Sequence, residues 1–484
     1  MIKISGVSWT YPHTESPALH DLDLAIEPGE FVILCGASGS GKSTALRLMN
    51  GLVPHFHDDG VLTGGVTVDG LVTTDAELDA LGLVTGTVLQ HPRRQFFTDS
   101  AREETAFAME NFGFPREQIR ARVDATLAEL AQRISVEQPL QHLSGGQQQQ
   151  VAIAAATAHE PRIVLLDEPS SNLSADAVRR LAATLAELKA AGATIVVAEH
   201  RLRYLEQLAD RVVVMRDGTI HIEWTAEQFR AVPDDLLAEE GLRGKVRSAE
   251  APVLAAAGGS IDRPVPGGEV SAGALHLDGV RCRLGGRAVL DIERVAFPAG
   301  EVTAIRGVNG AGKSTLARIV TGLQRSAGTV RLDGRALSRR ERQRASAIVM
   351  QDVQRQLFTD SVEAEIALAA RDASSSADPG AVLAPLDLAH LAERHPLSLS
   401  GGQQQRLVVA AVQVSGRRVV VFDEPSSGVD RRHLRSISDL IRQVAAGGAI
   451  VLLISHDEDL LALAADRQLT LVPPTRGLAA SHDA

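Results

Sequence analysis

The chain has 484 residues, 44% hydrophobic and 23% charged, with a formal net charge of −11 at pH 7. That length allows about two to four domains, each with its own core, and the acidic balance argues against non-specific gripping of nucleic acid, which needs clustered Lys and Arg. Only Cys35 and Cys282 occur, so no disulfide framework is suggested and a reducing compartment is expected.

The N-terminus lacks a signal-peptide core and no apolar run approaches the roughly 18 residues of a membrane span. The expectation is a cytosolic chain whose membrane role, if any, comes through a partner.

In chain order, the first strong element is an apolar strand, Phe31–Leu34, running directly into Gly36, Ala37, Ser38, Gly39, Ser40, Gly41, Lys42, Ser43 and Thr44. This is a GxxxxGK[ST] loop between a strand and a helix. Its glycines let backbone N–H groups close around phosphate oxygens, Lys42 reaches β- and γ-phosphates, and the Ser43 hydroxyl suits Mg²⁺. His55, His57, Asp58 and Asp59 offer metal-ligand types, but a polar loop before a hairpin over residues 60–69 is the simpler reading, since a metal site needs defined geometry and supporting partners.

Further on, Ile163–Leu166 is continuously apolar, as for a strand buried on both faces, and ends at Asp167 and Glu168. Asp167 is placed to hold Mg²⁺, directly or through water. Glu168, pointing elsewhere, can orient and partly deprotonate an attacking water, a role worth ~10²–10⁴-fold in rate. The helical spacing of Ala177–Ala190 stops at Gly192, and a second buried strand, Thr194–Ala198, precedes His200. Thr225 and Gln228 form a capping-box pattern opening a helix to about Glu239. Residues 246–273, rich in Ala, Gly, Pro and Ser, read as a flexible linker.

Beyond the linker the unit repeats. Strand Val302–Ile305 leads into Gly307, Val308, Asn309, Gly310, Ala311, Gly312, Lys313, Ser314 and Thr315; strand Val419–Phe422 ends at Asp423 and Glu424; strand Ile450–Ile454 precedes His456. LSGGQQQQ from Leu143 recurs as LSGGQQQR from Leu399. The paired serines, aspartates and histidines are each 256 residues apart, whereas Lys42 and Lys313 are 271 apart. The basic run from Arg339 is read as a solvated helix face. Strand–helix alternation in both copies implies α/β units with ligands at the carboxyl edge of a mainly parallel sheet.

P-loop, LSGGQ and DEP in this order resemble the ATP-binding-cassette (ABC) family. The resemblance implies two P-loop NTPase domains, 1–245 and 274–484, each with a mainly parallel core, an antiparallel β subdomain and a helical signature subdomain. It also implies ATP and Mg²⁺ as cofactors. Ser144, Gly145, Gly146 and Gln147, and Ser400, Gly401, Gly402 and Gln403, become signature motifs closing over ATP held by the opposite P-loop, in an intrachain pseudo-dimer. Glu168, Glu424, His200 and His456 become the catalytic set, Gln90 and Gln351 the glutamines linking Mg²⁺ and water to a docking surface, and Tyr11 the adenine-stacking aromatic. Departures fall at Leu284, which aligns with Tyr11, and at Ser174, where the second copy has Asp430; two active but unequal sites are expected.

The segments after Gln90 and Gln351, with Gln95, Gln356 and an apolar–Phe pair, and the EHRL at Glu199–Leu202, resemble ATPase components of energy-coupling-factor (ECF) importers, relatives of cobalt-transport ATPases. That resemblance implies an integral membrane scaffold protein and a small substrate-binding membrane protein as partners, no nucleic acid, a place on the cytoplasmic face of the membrane, and uptake of a vitamin or metal ion. A tandem ATPase of another importer class, such as one for sugars, shares every catalytic motif. A soluble ribosome-acting cassette protein is the further alternative, although the short, Gly/Pro-rich linker differs from the long charged one of that class.

Overall fold

In a computed structural model, the chain forms two compact units, Met1–Lys245 and Val246–Ala484. The structure describes residues 1–12, 14, 16–57, 59–90, 92–171, 173–244, 251–262, 273–308, 310–350, 353–371, 378–399, 401–426 and 431–474. Asp58, Asn309, Gln351, Ser400 and Asp430 therefore lie outside the described residues.

The strands of the first unit are β1 (Ile2–Thr10), β2 (Leu19–Ile26), β3 (Phe31–Cys35), β4 (Val61–Val68), β5 (Leu71–Val72), β6 (Thr85–Val88), β7 (Ile163–Asp167), β8 (Thr194–Ala198), β9 (Arg211–Arg216) and β10 (Thr219–Thr225). An antiparallel sheet runs β2-β1-β4-β5, and a second sheet runs β10-β9-β3-β8-β7-β6. In the second, only the β9–β10 pairing is antiparallel. Every residue of β3 and β8 is buried, which is why these strands carry unbroken apolar runs instead of alternation.

The second unit repeats the plan with β11 (Ala256–Ala257), β12 (Leu275–Leu284), β13 (Arg287–Phe297), β14 (Val302–Arg306), β15 (Ala327–Leu332), β16 (Arg335–Ala336), β17 (Ser346–Val349), β18 (Val419–Asp423), β19 (Ile450–Ile454) and β20 (Arg467–Thr470). Its sheets are β11-β13-β12-β15-β16 and the all-parallel β17-β18-β19-β14-β20. Both phosphate loops thus leave the carboxyl end of a strand inside a parallel sheet, the ligand-binding edge of such folds.

Three local expectations need correcting. Residues 251–262, expected to be flexible linker, are laid against the second unit. The Leu254 N–H donates to the Gln468 carbonyl at 2.8 Å, the Val472 N–H donates to the Ser260 carbonyl at 2.9 Å, and β11 pairs antiparallel with β13. Leu254, Ala256 and Ile261 join the core cluster containing Leu277, Ile292 and Leu452. In the first unit β10 pairs with β9 and packs beside β2; in the second, this preceding segment covers β20 and β13. A sheet edge left with unpaired backbone groups is unfavourable, so the chain supplies the cover from one side of the unit or the other.

Second, the helix expected from Thr225 to about Glu239 is two helices, Ala226–Ala231 with the capping box and Asp234–Glu239. Val232 precedes Pro233 and is extended (φ −63°, ψ 122°), because the proline ring disfavours a helical residue before it. Third, the Arg339–Ala345 helix is not solvated throughout: Arg342 is buried and donates to the Ile319 carbonyl.

If residues 251–262 are part of the second unit, Leu254→Ala and Ile261→Ala each lower stability by about 2–4 kcal/mol, the cost of emptying a core aliphatic site. Denaturant unfolding of the full chain checks this. A segment that only tethers would leave the transition unmoved.

Candidate nucleotide-binding sites

The first phosphate loop depends on one glycine conformation. Gly41 caps the helix Lys42–Met49 at φ 99°, and a Cβ there would meet Leu19 Cδ2 at 2.7 Å and the Ala18 carbonyl at 2.9 Å. Gly312 repeats this at φ 96°, before the helix Lys313–Val320. The loops curl around their own lysines. Lys42 Nζ donates to the carbonyls of Gly36 at 3.0 Å and Ala37 at 2.9 Å and to Ser40 Oγ at 3.3 Å. Lys313 Nζ donates to the carbonyls of Gly307 at 2.7 Å and Val308 at 3.2 Å. Burial lowers the Lys313 pKa, against the opposing pull of Glu424 and Asp423.

Across from each loop, β7 and β18 end in an Asp–Glu pair. Ser43 Oγ donates to Asp167 Oδ1 at 2.9 Å, and Ser314 hydrogen-bonds Asp423. Burial, reinforced by Glu168, pushes the Asp167 carboxyl up to about 6, and burial likewise raises that of Asp423. A partly buried carboxylate beside a serine hydroxyl is an oxygen donor set suited to a hard divalent cation.

Glu168 and Glu424 have left-handed backbones, with φ 45° and 54°, a conformation that costs a non-glycine residue about 1–3 kcal/mol and concentrates at functional sites. Their N–H groups donate to the Ala198 and Ile454 carbonyls, each at 2.8 Å. This fold-back aims Glu168 at His200: Nε2 of the histidine lies 2.9 Å from Oε1. Glu168 Oε2 accepts from Gln90 Nε2 at 2.8 Å and Ser171 Oγ at 3.1 Å. Burial alone would raise the Glu168 pKa; His200, Lys42 and Ser171 outweigh it and hold it at about 2. In the second unit His456 Nε2 is 3.8 Å from Glu424 Oε1.

Ser144 opens the helix Gly145–Thr157 with a complete capping box, in which the Ser144 N–H donates to Gln147 Oε1 at 2.9 Å and the Gln147 N–H to Ser144 Oγ at 3.4 Å. Gly401, Gly402 and Gln403 begin the corresponding helix, Gly401–Val414. Ser174 caps the helix Ala175–Ala190, accepting from the Ala177 N–H at 3.4 Å.

The two units differ around the expected adenine contacts. Tyr11 is held by its hydroxyl, 3.2 Å from Thr44 Oγ1 and 3.4 Å from Arg47 Nη1, and packs edge-on with Trp9 and His57. His57 is therefore an aromatic neighbour of Tyr11, while His55 Nε2 lies 2.9 Å from the Thr73 carbonyl. Leu284 instead stands exposed at the tip of a two-residue hairpin, paired with Arg287 across Gly285 and Gly286, both with the positive φ such a turn requires.

Two features escaped the motif reading. In the segments after Gln90 and Gln351, a buried glutamate organises the loop. Glu104 Oε2 accepts from the Phe97 and Thr98 N–H groups, each at 3.0 Å, and from the Thr98 hydroxyl at 2.9 Å. Glu365 Oε2 accepts from the Phe358 and Thr359 N–H groups at 3.1 Å and from the Thr359 hydroxyl at 2.8 Å. The result presents Phe97 and Phe358 to solvent at 73% and 76% exposure. The signal was the string FTDS with Glu four residues beyond its Ser, present in both copies. Gln95 and Gln356 brace the same loops, accepting from the Leu89 and Met350 N–H groups at 2.8 and 2.7 Å. The second feature is the role of Glu199, which the EHRL string contains without showing it: the carboxylate beside the histidine is buried against four donors.

Against this geometry, the profile of the ABC transporter family matches residues 19–171 and 291–427. A Treponema denticola protein named as an ABC transporter ATP-binding protein is 39% identical over 474 residues, 97% of this chain and 95% of the relative. A Bacillus subtilis protein named as an HMP/thiamine import ATP-binding protein, YkoD, is 30% identical over 492 residues, 97% of this chain and 90% of the relative. Among solved structures, a chain from a model of ribosome-bound archaeal Pelota and ABCE1 aligns with a TM-score of 0.65 at 20% identity, covering 96% of this chain and 78% of that one; this is a likeness of fold alone.

If Tyr11 stacks on adenine, an aromatic held at one site and an exposed leucine at the other predict unequal adenine binding. Tyr11→Leu should weaken ATP binding at the first P-loop by about 1 kcal/mol or more, the scale of one base–aromatic stack, and Leu284→Tyr should strengthen it at the second. Titration with a fluorescent ATP analogue checks both; equal affinities in the parent chain, unmoved by either change, contradict the stacking difference.

Proposed function

Since this chain belongs to the ABC transporter family and is an ATP-hydrolysing cassette protein, we propose that it is the ATPase subunit of an ECF-type importer. In this reading it works at the cytoplasmic face of a membrane and powers uptake of a vitamin or metal ion. Its partners are a membrane scaffold protein and a small membrane protein that binds the cargo. Among the described residues no helix is long and apolar enough to cross a membrane, so the spanning part is assigned to those partners.

The observation that carries this reading is the pair of Phe97 and Phe358 loops, each fixed from below by a buried glutamate. A large apolar side chain held in water by a rigid backbone is a typical anchor for a partner's pocket. The first of these loops begins just after Gln90, whose Nε2 donates to Oε2 of Glu168 at 2.8 Å. Partner movement and water activation are thus joined through a few residues. The YkoD relative, named for HMP/thiamine import, supports the vitamin side of the proposal.

Lys42 and Lys313 bind the β- and γ-phosphates, exchanging their loop carbonyls for ligand oxygens. Ser43 with Asp167, and Ser314 with Asp423, would hold Mg²⁺, which when bound offsets charge developing on the phosphates. Glu168 and Glu424 orient the attacking water and accept its proton as general bases. His200 and His456 contact the γ-phosphate and fix the carboxylate. Each signature motif serves the other unit's P-loop, Ser400 for Lys42 and Ser144 for Lys313, so ATP binding closes the chain on itself and hydrolysis reopens it.

Affinity purification of the Glu168→Gln, Glu424→Gln chain from detergent-solubilised native membranes tests the assignment. The expected result is a polytopic membrane protein with a small companion. Adding either Phe97→Ser or Phe358→Ser should cut recovery by roughly 30-fold, the effect of losing one interface anchor worth about 2 kcal/mol. Recovery of ribosomes with no membrane protein would contradict it.

A further inference from the structure

In both units the carboxylate after the Asp must be held against the histidine loop, yet the two loops are secured differently. In the first, Glu199 is 2% exposed and each of its oxygens is occupied twice. Oε1 accepts from the His200 N–H at 2.8 Å and the Arg201 N–H at 3.1 Å; Oε2 accepts from the Ser170 N–H at 3.3 Å and the Tyr204 hydroxyl at 2.9 Å. Glu199 therefore ties the turn just after Glu168 to the loop that carries His200. A buried carboxylate with four donors cannot move without stranding several of them unsatisfied, which is unfavourable.

The second unit has Ser455 in this place, with a shorter side chain and no charge. There the histidine's N–H is accepted by the candidate catalytic carboxylate itself, His456 N to Glu424 Oε2 at 3.2 Å, and Ser455 Oγ donates to the same oxygen at 3.4 Å. Glu424 is drawn into holding the loop, and the histidine ring sits at 3.8 Å. Glu168, relieved of that duty, keeps Oε1 for the His200 ring at 2.9 Å and Oε2 for Gln90 and Ser171.

We infer that Glu199 is a positioning residue for ATP hydrolysis at the first unit: by capturing the His200 backbone it frees and aims Glu168, making the first unit's site the faster of the two. It touches neither nucleotide nor water and acts through His200 and Ser170. The inference rests on Glu168 and Glu424 being the water-activating groups.

Single-turnover ATP cleavage separates the two sites, since a Glu424→Gln background reports the first carboxylate and a Glu168→Gln background the second. Glu199→Gln should slow cleavage about 10-fold in the first background, the lower end of what loss of an orienting partner costs in well-studied sites. The ATP concentration for half-maximal rate should stay within about two-fold, because the phosphate loop and Tyr11 are unchanged. In the second background the slowing should be less than about two-fold, since the affected residues lie in the first unit. Tyr204→Phe, which keeps the ring and removes one donor, should act in the same direction and covers the case in which Glu199→Gln does not fold. Equal slowing in both backgrounds, or folded Glu199→Gln and Tyr204→Phe chains cleaving at the parental rate, would overturn the inference. Hydrolysis persisting in the Glu168→Gln, Glu424→Gln chain would instead refute the carboxylate assignment itself.

Discussion

Each unit is organised around two adjacent carboxylates at the end of a buried strand. Side by side in a low-dielectric site, like charges disfavour ionisation, and the structure handles this by sending the two in different directions. Asp167 stays in line with its strand and meets Ser43, while the left-handed backbone of Glu168 turns it toward His200 and Gln90. The outcome is one carboxyl raised to about 6 and one lowered to about 2. Under the proposed function the first would receive the cation and the second, charged at neutral pH, would face the water. Phosphate loop, histidine strand and glutamine loop all converge on this divided pair.

The same template tolerates unequal copies because the differences lie outside the pair. Ser43 and Ser314 meet their aspartates alike, and both glutamates fold back onto the neighbouring strand's carbonyl. Variation enters at the aromatic position, where the first unit has a pinned Tyr11 and the second an exposed Leu284, and at the histidine loop, where Glu199 is exchanged for Ser455. It enters also at the sheet edge, covered by β10 in one unit and by residues 251–262 in the other. Two P-loop units of one chain can therefore share a reaction while differing in affinity and rate.

Much of this was legible in the residues. Strands β3, β7, β8, β18 and β19 announce themselves because burial on both faces demands runs of apolar residues, with β14 interrupted only by the buried Thr303, and each ends at a motif whose chemistry names its ligand. What stayed hidden depends on non-local partners. Leu254, Ala256 and Ile261 lie in an Ala- and Gly-rich stretch with no period of its own, and only the edges of β13 and β20 give them a place. Arg342 sits in a run of exposed arginines and is buried because the Ile319 carbonyl is within reach. Glu104, Glu365 and Glu199 look like ordinary surface acids until the backbone donors around them are located. Pro233, by contrast, was a readable break that the capping box upstream obscured.

The central claim is that one chain holds two complete ATP sites built on divided carboxylate pairs. Its most direct test counts nucleotide. In the Glu168→Gln, Glu424→Gln chain, where bound ATP should stay uncleaved, equilibrium dialysis with saturating Mg–ATP is predicted to find two ATP per chain, filling with unequal affinities. A plateau at one ATP per chain would contradict the account.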